Sequence, residues 1–103
     1  MTIEQIKQCC AERRVGWSFH AAEMMQKRGI ERLDVLNCLQ NGEIIEDYPN
    51  SFPSPSCLVF GFTLENKVLH TVVGIKEDML MVITAYFPDT IKFESDLKTR
   101  RAK

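Results

Sequence analysis

The chain of 103 residues is short of almost everything that would announce a function. It has one tryptophan, two histidines, five glycines and four prolines. So little Gly and Pro beside 45% apolar residues excludes a disordered, collagen-like or linker chain. The length has room for a single domain. No apolar run approaches the roughly 20 residues needed to cross a bilayer. The start, Met1-Thr2-Ile3-Glu4-Gln5, lacks the basic end and apolar core of a secretory signal. The cytoplasm is therefore the expected location, with no membrane partner. Charge of one sign is missing too: 13 bases face 14 acids, a net charge of -1. That excludes a strongly basic nucleic-acid binder as a whole-chain property and leaves open a local basic patch. There is no Gly-rich phosphate loop, no GxSxG, no HExxH and no carboxylate pair at diagnostic spacing. Motifs alone name no enzyme class.

The four cysteines, Cys9, Cys10, Cys38 and Cys57, lack CxxC spacing and a histidine at ligand spacing. Cys9 and Cys10 are adjacent, so on a helix they point about 100° apart and do not converge on one ion. They read as reduced thiols acting as small hydrophobes, with no metal site and no cofactor expected.

What is there is a change of period along the chain. Thr2 and Gln5 fit a capping box, and Ile3, Ile6 and Cys10 recur at helical spacing, so about 3–13 reads as a helix ended by Val15-Gly16. Ser18 caps a second helix over about 19–28, stopped by Gly29. A third spans about 31–40, with Leu33, Leu36 and Leu39 inward and Asn41-Gly42 as its stop. Residues 43–48 read as a strand. Pro49 to Ser56 holds three prolines and must be an irregular loop. Strands follow at about 57–63, 68–75 and 79–87, separated by turns at Glu65-Asn66-Lys67 and Glu77-Asp78. The expected fold is one α+β domain: three helices packed on an antiparallel sheet of three to four strands, with a basic tail over about 92–103.

The second helix carries the most information. With His20 at zero on a wheel of 100° per residue, Met24 falls near 40°, Arg28 near 80°, Ala21 at 100° and Met25 near 140°. The apolar stripe is Met24, Ala21, Met25 and Ala22, with His20 at its edge and Arg28 inside it. A guanidinium on a buried stripe costs several kcal/mol unless it is compensated. Arg28 must snorkel, pair with an acid or line a cleft that holds an anion. His70 alternates with Val68 and Val72 on its strand, away from Leu69, Thr71 and Val73. A histidine on a strand is commonly a hydrogen-bonded structural residue. Two histidines meeting in a cleft would suit acid–base work near neutral pH. Tyr86 ends the last strand, sharing by alternation a face with Leu80, Val82 and Thr84, and suits stacking or donation to a phosphate. Glu46 and Asp47 read as rim charges unless one faces a cation.

Charge is segregated. Residues 43–63 carry three acids and no base, whereas 92–103 carry five bases (Lys92, Lys98, Arg100, Arg101, Lys103) and two acids. The plain reading is a solvated end. The sharper one is an arm that touches phosphates.

Five segments in order resemble the DUF4258 family, a domain of unknown function. They are Phe19-His20-Ala21-Ala22-Glu23-Met24-Met25-Gln26-Lys27-Arg28-Gly29-Ile30, then Asn41 to Pro49, then Pro55-Ser56-Cys57-Leu58, then Leu69-His70-Thr71-Val72-Val73, and last Ile83-Thr84-Ala85-Tyr86-Phe87-Pro88. The resemblance implies a small bacterial or archaeal protein, for some members the toxin of a toxin–antitoxin pair. The antitoxin partner would be of a zinc-finger and helix-turn-helix type. The order of helices then sheet is similar to the RelE-like messenger-RNA nucleases, which cut RNA without metal using bases, acids and phosphate-binding Arg or Lys. One departure is plain: the family's Arg-Met after His-Ala-x-x is Met24-Met25 here. Loss of one transition-state donor typically costs about 10²–10³ in rate.

The expectation is a metal-independent endoribonuclease acting on messenger RNA. His20 and His70 are its acid–base candidates, Arg28 holds the phosphate, and Tyr86 stacks or donates. Lys27, Arg100 and Arg101 grip the RNA. The alternative is a non-catalytic module complexed with the product of a neighbouring gene. A metal or redox protein has only the cysteine count behind it.

Overall fold

The structure, a computed structural model, describes Met1 to Ala102. Lys103, counted in the basic tail above, lies outside the described residues. Helix α1 spans Ile3–Ala11. Thr2 starts it as expected: its Oγ1 accepts from Gln5 N at 3.2 Å, and Gln5 Oε1 accepts from Thr2 N at 2.9 Å. The helix stops two residues short of the expected end, because Arg13 adopts a left-handed φ of 59° and turns the chain.

Val15–Trp17 then forms strand β1, where the sequence reading placed only a helix stop. The later strands are β2 (Glu43–Tyr48), β3 (Ser56–Phe62), β4 (Val68–Lys76) and β5 (Met79–Tyr86). The sheet therefore has five strands rather than three to four, in the order β1-β5-β4-β3-β2. It is mixed rather than antiparallel throughout, since β1 lies parallel to β5, with Val15 opposite Leu80 and Trp17 opposite Val82. Three residues are too few to display alternation, and the partner is far away in sequence. The β4–β5 hairpin turns on Glu77 and Asp78, both at positive φ (52° and 64°), the backbone of a two-residue turn matched to strand twist.

Helix α2 (Phe19–Arg28) is capped by Ser18 Oγ, which accepts from Ala21 N at 3.0 Å, and ends at Gly29 with φ 68°. It buries Ala21 and Met25; Ala22, assigned to the inward stripe, is exposed. Helix α3 spans Arg32–Asn41. Its inward side is Val35, Cys38 and Leu39, whereas Leu33, expected inward, is 62% exposed. The close approach of α3 to β3 fixes that rotation: a Cβ at Gly61 would stand 2.6 Å from the Cys38 carbonyl oxygen.

The helices pack on one face of the sheet over a core that includes Ile6, Val35, Leu39, Val59, Leu69, Val73, Leu80 and Ala85. All four cysteines are buried and unpaired, as small hydrophobes would be. The other face is covered as well. After β5 the chain runs back across it as a strap, residues 87–102, and buries Phe93 to 1% exposure. Beneath Phe93 lies the buried His70, with Phe60 against it in turn. Among the described residues no helix is long and apolar enough to cross a membrane.

Candidate functional site

The site begins with an irregularity in β5. Val72 faces Thr84 but Val73 faces Val82, so Ile83 is an extra residue. Such a bulge reverses the phase of alternation beyond it. Leu80 and Val82 point at the helices, and after the bulge Ala85 does so. Tyr86 is therefore on the face opposite to Leu80 and Val82, not the same face as alternation suggested. It sits across from His70, under the strap.

The edge of β5 does the rest. Its pairing with β1 ends at Val82, which leaves carbonyls beyond it without a strand partner. Both ends of α2 supply donors. Ser18 Oγ donates to Ile83 O at 3.2 Å, and Arg28 Nη1 donates to Ala85 O at 2.8 Å. An exposed strand edge needs such partners. Arg28, expected inside the apolar stripe, is instead exposed at the end of α2, with its guanidinium on the edge of β5.

There Arg28 lines a cavity of about 470 Å³ together with Tyr86, Phe87, Pro88, Asp89, Lys92, Phe93 and Arg100. The volume is within the range of small-ligand pockets, about 300–1,000 Å³. Three cations thus meet one carboxylate. Asp89 spends its Oδ1 on the backbone N–H groups of Ile91 and Lys92, at 3.0 and 3.4 Å. Among the described residues neither Arg28 nor Lys92 has a carboxylate partner within ion-pair distance. Arg100 is held differently. Its Nε and Nη2 both reach the Glu46 carboxylate at 3.0 Å, a two-pronged pair, and its guanidinium lies 4.7 Å over the Phe93 ring. Glu46 also accepts from the Tyr48 hydroxyl. The Arg100 bond, above all, holds the Glu46 carboxyl below its ordinary range. Burial and, after it, the neighbouring Glu46 push Tyr48 up to about 12.

Behind Tyr86 stands His70, fully buried. Its Nε2 lies 2.7 Å from the Leu97 carbonyl oxygen and its Nδ1 lies 3.2 Å from the Tyr86 hydroxyl. A carbonyl only accepts, so Nε2 carries the proton. Burial, more than any neighbour, moves the imidazole's pKa down, which favours the neutral ring. Nδ1 is then an acceptor and Tyr86 donates to it. Tyr86 is itself pushed up by burial, so its hydroxyl stays protonated near neutral pH.

The structure thus brings Arg28, Tyr86 and Arg100 to one cavity, with His70 directly behind it. It does not bring His20 there. His20 is exposed in the first turn of α2. It stands eight residues before Arg28, about 12 Å along the helix axis at 1.5 Å per residue. Lys27 is exposed and pairs with Glu23 at 3.9 Å. Arg101 donates to Thr90 O at 2.6 Å and pairs with Glu94 at 3.0 Å. Neither lines the cavity. The basic tail is not a free arm: Lys98 pairs with Glu43 at 3.1 Å and Arg100 with Glu46, both on β2. Sequence reasoning missed Lys92, Phe93, Leu97 and the Glu46–Arg100 pair. The opposed charges of 43–63 and 92–103 were the signal for that pair, once read as complementary rather than as separate surfaces.

A family model, described as Domain of unknown function (DUF4258), matches residues 17–87. No curated protein and no solved structure matches the chain. The family match contains Arg28, His70, Tyr86 and Phe87, while the other cavity residues come from the strap beyond it. Since the match spans most of its length, the chain belongs to the DUF4258 family.

Proposed function

We propose that this protein is a metal-independent endoribonuclease acting on messenger RNA, the toxin of a toxin–antitoxin pair, with the cavity as its active site. The observation that carries the reading is the cluster of three cations around Tyr86, two of them without a carboxylate partner among the described residues. Unpaired positive charge at a concave site suits an anion such as a phosphodiester. RNA cleavage by the neighbouring 2′-hydroxyl requires a group to take its proton and charge to stabilise the phosphorane. Arg28 and Lys92 supply that charge, with Arg100 fixed beside them. The mechanism assigns that role to side chains and uses no metal ion.

Arg100 also bears on the departure at Met24. The guanidinium that the family carries there is absent, and the strap brings a second one to the cavity from the other end of the chain. His20, far along α2, has no part in this reading; Tyr86 backed by His70 replaces the two-histidine pair. We extend the reading to a RelE-like relationship, supported by this chemistry and by helices that precede four of the five strands, with β1 between α1 and α2 as the departure.

Purified protein incubated with single-stranded RNA in excess chelator tests the reading. Cleavage is expected, with products ending in 2′,3′-cyclic phosphate and 5′-hydroxyl. Arg28→Gln is expected to lower the rate by about 10²–10³, the cost of one transition-state donor. The non-catalytic alternative has in its favour the exposure of Phe19, Phe52 and Ile91, at 84%, 95% and 82%. Intact RNA together with a stable complex with the product of the adjacent gene would establish that alternative instead.

A further inference from the structure

Resting on the cavity as an RNA-cleaving site, we propose that Tyr86 is the catalytic residue that takes the 2′-hydroxyl proton, with His70 and the Leu97 carbonyl as positioning residues that make it able to. Tyrosine is a poor base alone, because its oxygen gains a proton only by losing one. The wiring behind it supplies that exchange. Leu97 O accepts from His70 Nε2 at 2.7 Å, which leaves the Nδ1 lone pair as the ring's one basic position. The Tyr86 O–H is aimed at that position from 3.2 Å, which leaves the lone pairs of the phenol oxygen free on a residue that lines the cavity.

The Leu97 carbonyl is itself placed with care. Leu97 has a left-handed φ of 58°, unfavourable for a residue with a branched side chain. The loop around it is fixed at several points. Leu97 N donates to Glu94 O at 2.8 Å and Glu94 N donates to Thr99 O at 2.7 Å. Asp96 Oδ1 accepts from the N–H groups of Lys98 and Thr99 at 2.9 and 3.0 Å.

The step balances. The substrate 2′-hydroxyl proton passes to Tyr86 Oη as the Tyr86 proton passes to His70 Nδ1. The 2′-oxygen forms its bond to phosphorus, and the bond from phosphorus to the 5′-oxygen breaks with its electron pair on that oxygen. The 5′-oxygen takes a proton from water, and the hydroxide left behind is neutralised by the proton that returns from His70 through Tyr86. The transient imidazolium is attracted by Glu46 on β2 and repelled by Arg100 on the strap. Phe60 on β3 and Phe93 on the strap meet the ring edge-on, and Lys98 lies over Phe60 while paired with Glu43.

Two measurements decide it. Nitrogen-15 NMR of the histidine side chains in the wild-type protein reads the wiring: the proton is expected on Nε2, with the Nδ1 signal shifting in Tyr86→Phe. A proton on Nδ1 at neutral pH overturns the proposal whatever the protein does to RNA. Cleavage rates against pH read its use. The wild-type rate is expected to fall on the acid side, where a neutral His70 is lost. His70→Gln is expected to abolish that acid limb and lower the plateau by about 10²–10⁴, the usual worth of a positioned proton acceptor. Binding of a 2′-O-methyl oligonucleotide, which lacks the attacking hydroxyl, is expected to be unchanged in His70→Gln. An unaltered acid limb in that variant, with Arg28-dependent cleavage intact, refutes the relay and leaves the nuclease reading standing. No cleavage by the wild-type protein ends both.

Discussion

Arg28 shows how far a single residue can be read. On the helical wheel it falls inside an apolar stripe, where a guanidinium must reach water, pair with an acid or line a cleft. It is exposed and lines the cavity, and its Nη1 donates to the Ala85 carbonyl rather than to an acid. His70 was legible only as a strand histidine, because its partners Tyr86 and Leu97 arrive through a bulge and a strap that no local pattern announces. Its burial has a consequence for stability. The folded ring has a pKa below its ordinary 6.5, so the unfolded chain binds the proton more readily as pH falls. The His70 contribution to stability is therefore complete above pH 6.5 and is lost as pH drops through the folded pKa. Denaturant midpoints measured from pH 7.5 to 5 should fall for the wild-type protein, and fall less for His70→Gln. Equal slopes in the two proteins would mean that the ring takes up its proton at the same pH folded and unfolded.

At the scale of elements, the three helices were readable because their ends are chemically marked: the Thr2–Gln5 box, Ser18 and Gly29. β1 was not, since three residues paired to a distant strand carry no period of their own. The face of Tyr86 was misread for a related reason, as one extra residue at Ile83 inverts all that follows. Where α3 meets β3, the fit is tight enough to test. Gly61→Ala places a methyl 2.6 Å from a backbone oxygen and 2.8 Å from the Cys38 Cα, so the helix must move. Overpacking of this kind costs about 1–3 kcal/mol, readable as a lower denaturation midpoint. The strap makes a second test. Phe93 is 1% exposed and anchors it over His70. Phe93→Ala should cost about 3–5 kcal/mol and, by loosening Arg100 and the Leu97 carbonyl, depress RNA cleavage further than the stability loss explains.

Over the whole molecule, a net charge of -1 conceals a definite arrangement. Two acids of β2 pair with bases of the strap, Glu43 with Lys98 and Glu46 with Arg100, while Arg28 and Lys92 stand at the cavity without a carboxylate partner among the described residues. Glu46 is where the two functions separate. Its partner Arg100 is half-exposed while Glu46 is 20% exposed, and a pair open to water on one side contributes about 1 kcal/mol. Glu46→Gln should therefore leave thermal stability almost unchanged while releasing Arg100 from its fixed position, with weaker binding of a 2′-O-methyl oligonucleotide as the readout. A large stability loss with unchanged binding would make the pair structural only. The most direct test of the account remains the cut itself: labelled single-stranded RNA, excess chelator, and wild-type protein beside Arg28→Gln. The account predicts fragments ending in 2′,3′-cyclic phosphate for the wild type and a rate about 10²–10³ lower for the variant. RNA left whole by the wild type, or cut equally fast by both, would contradict it.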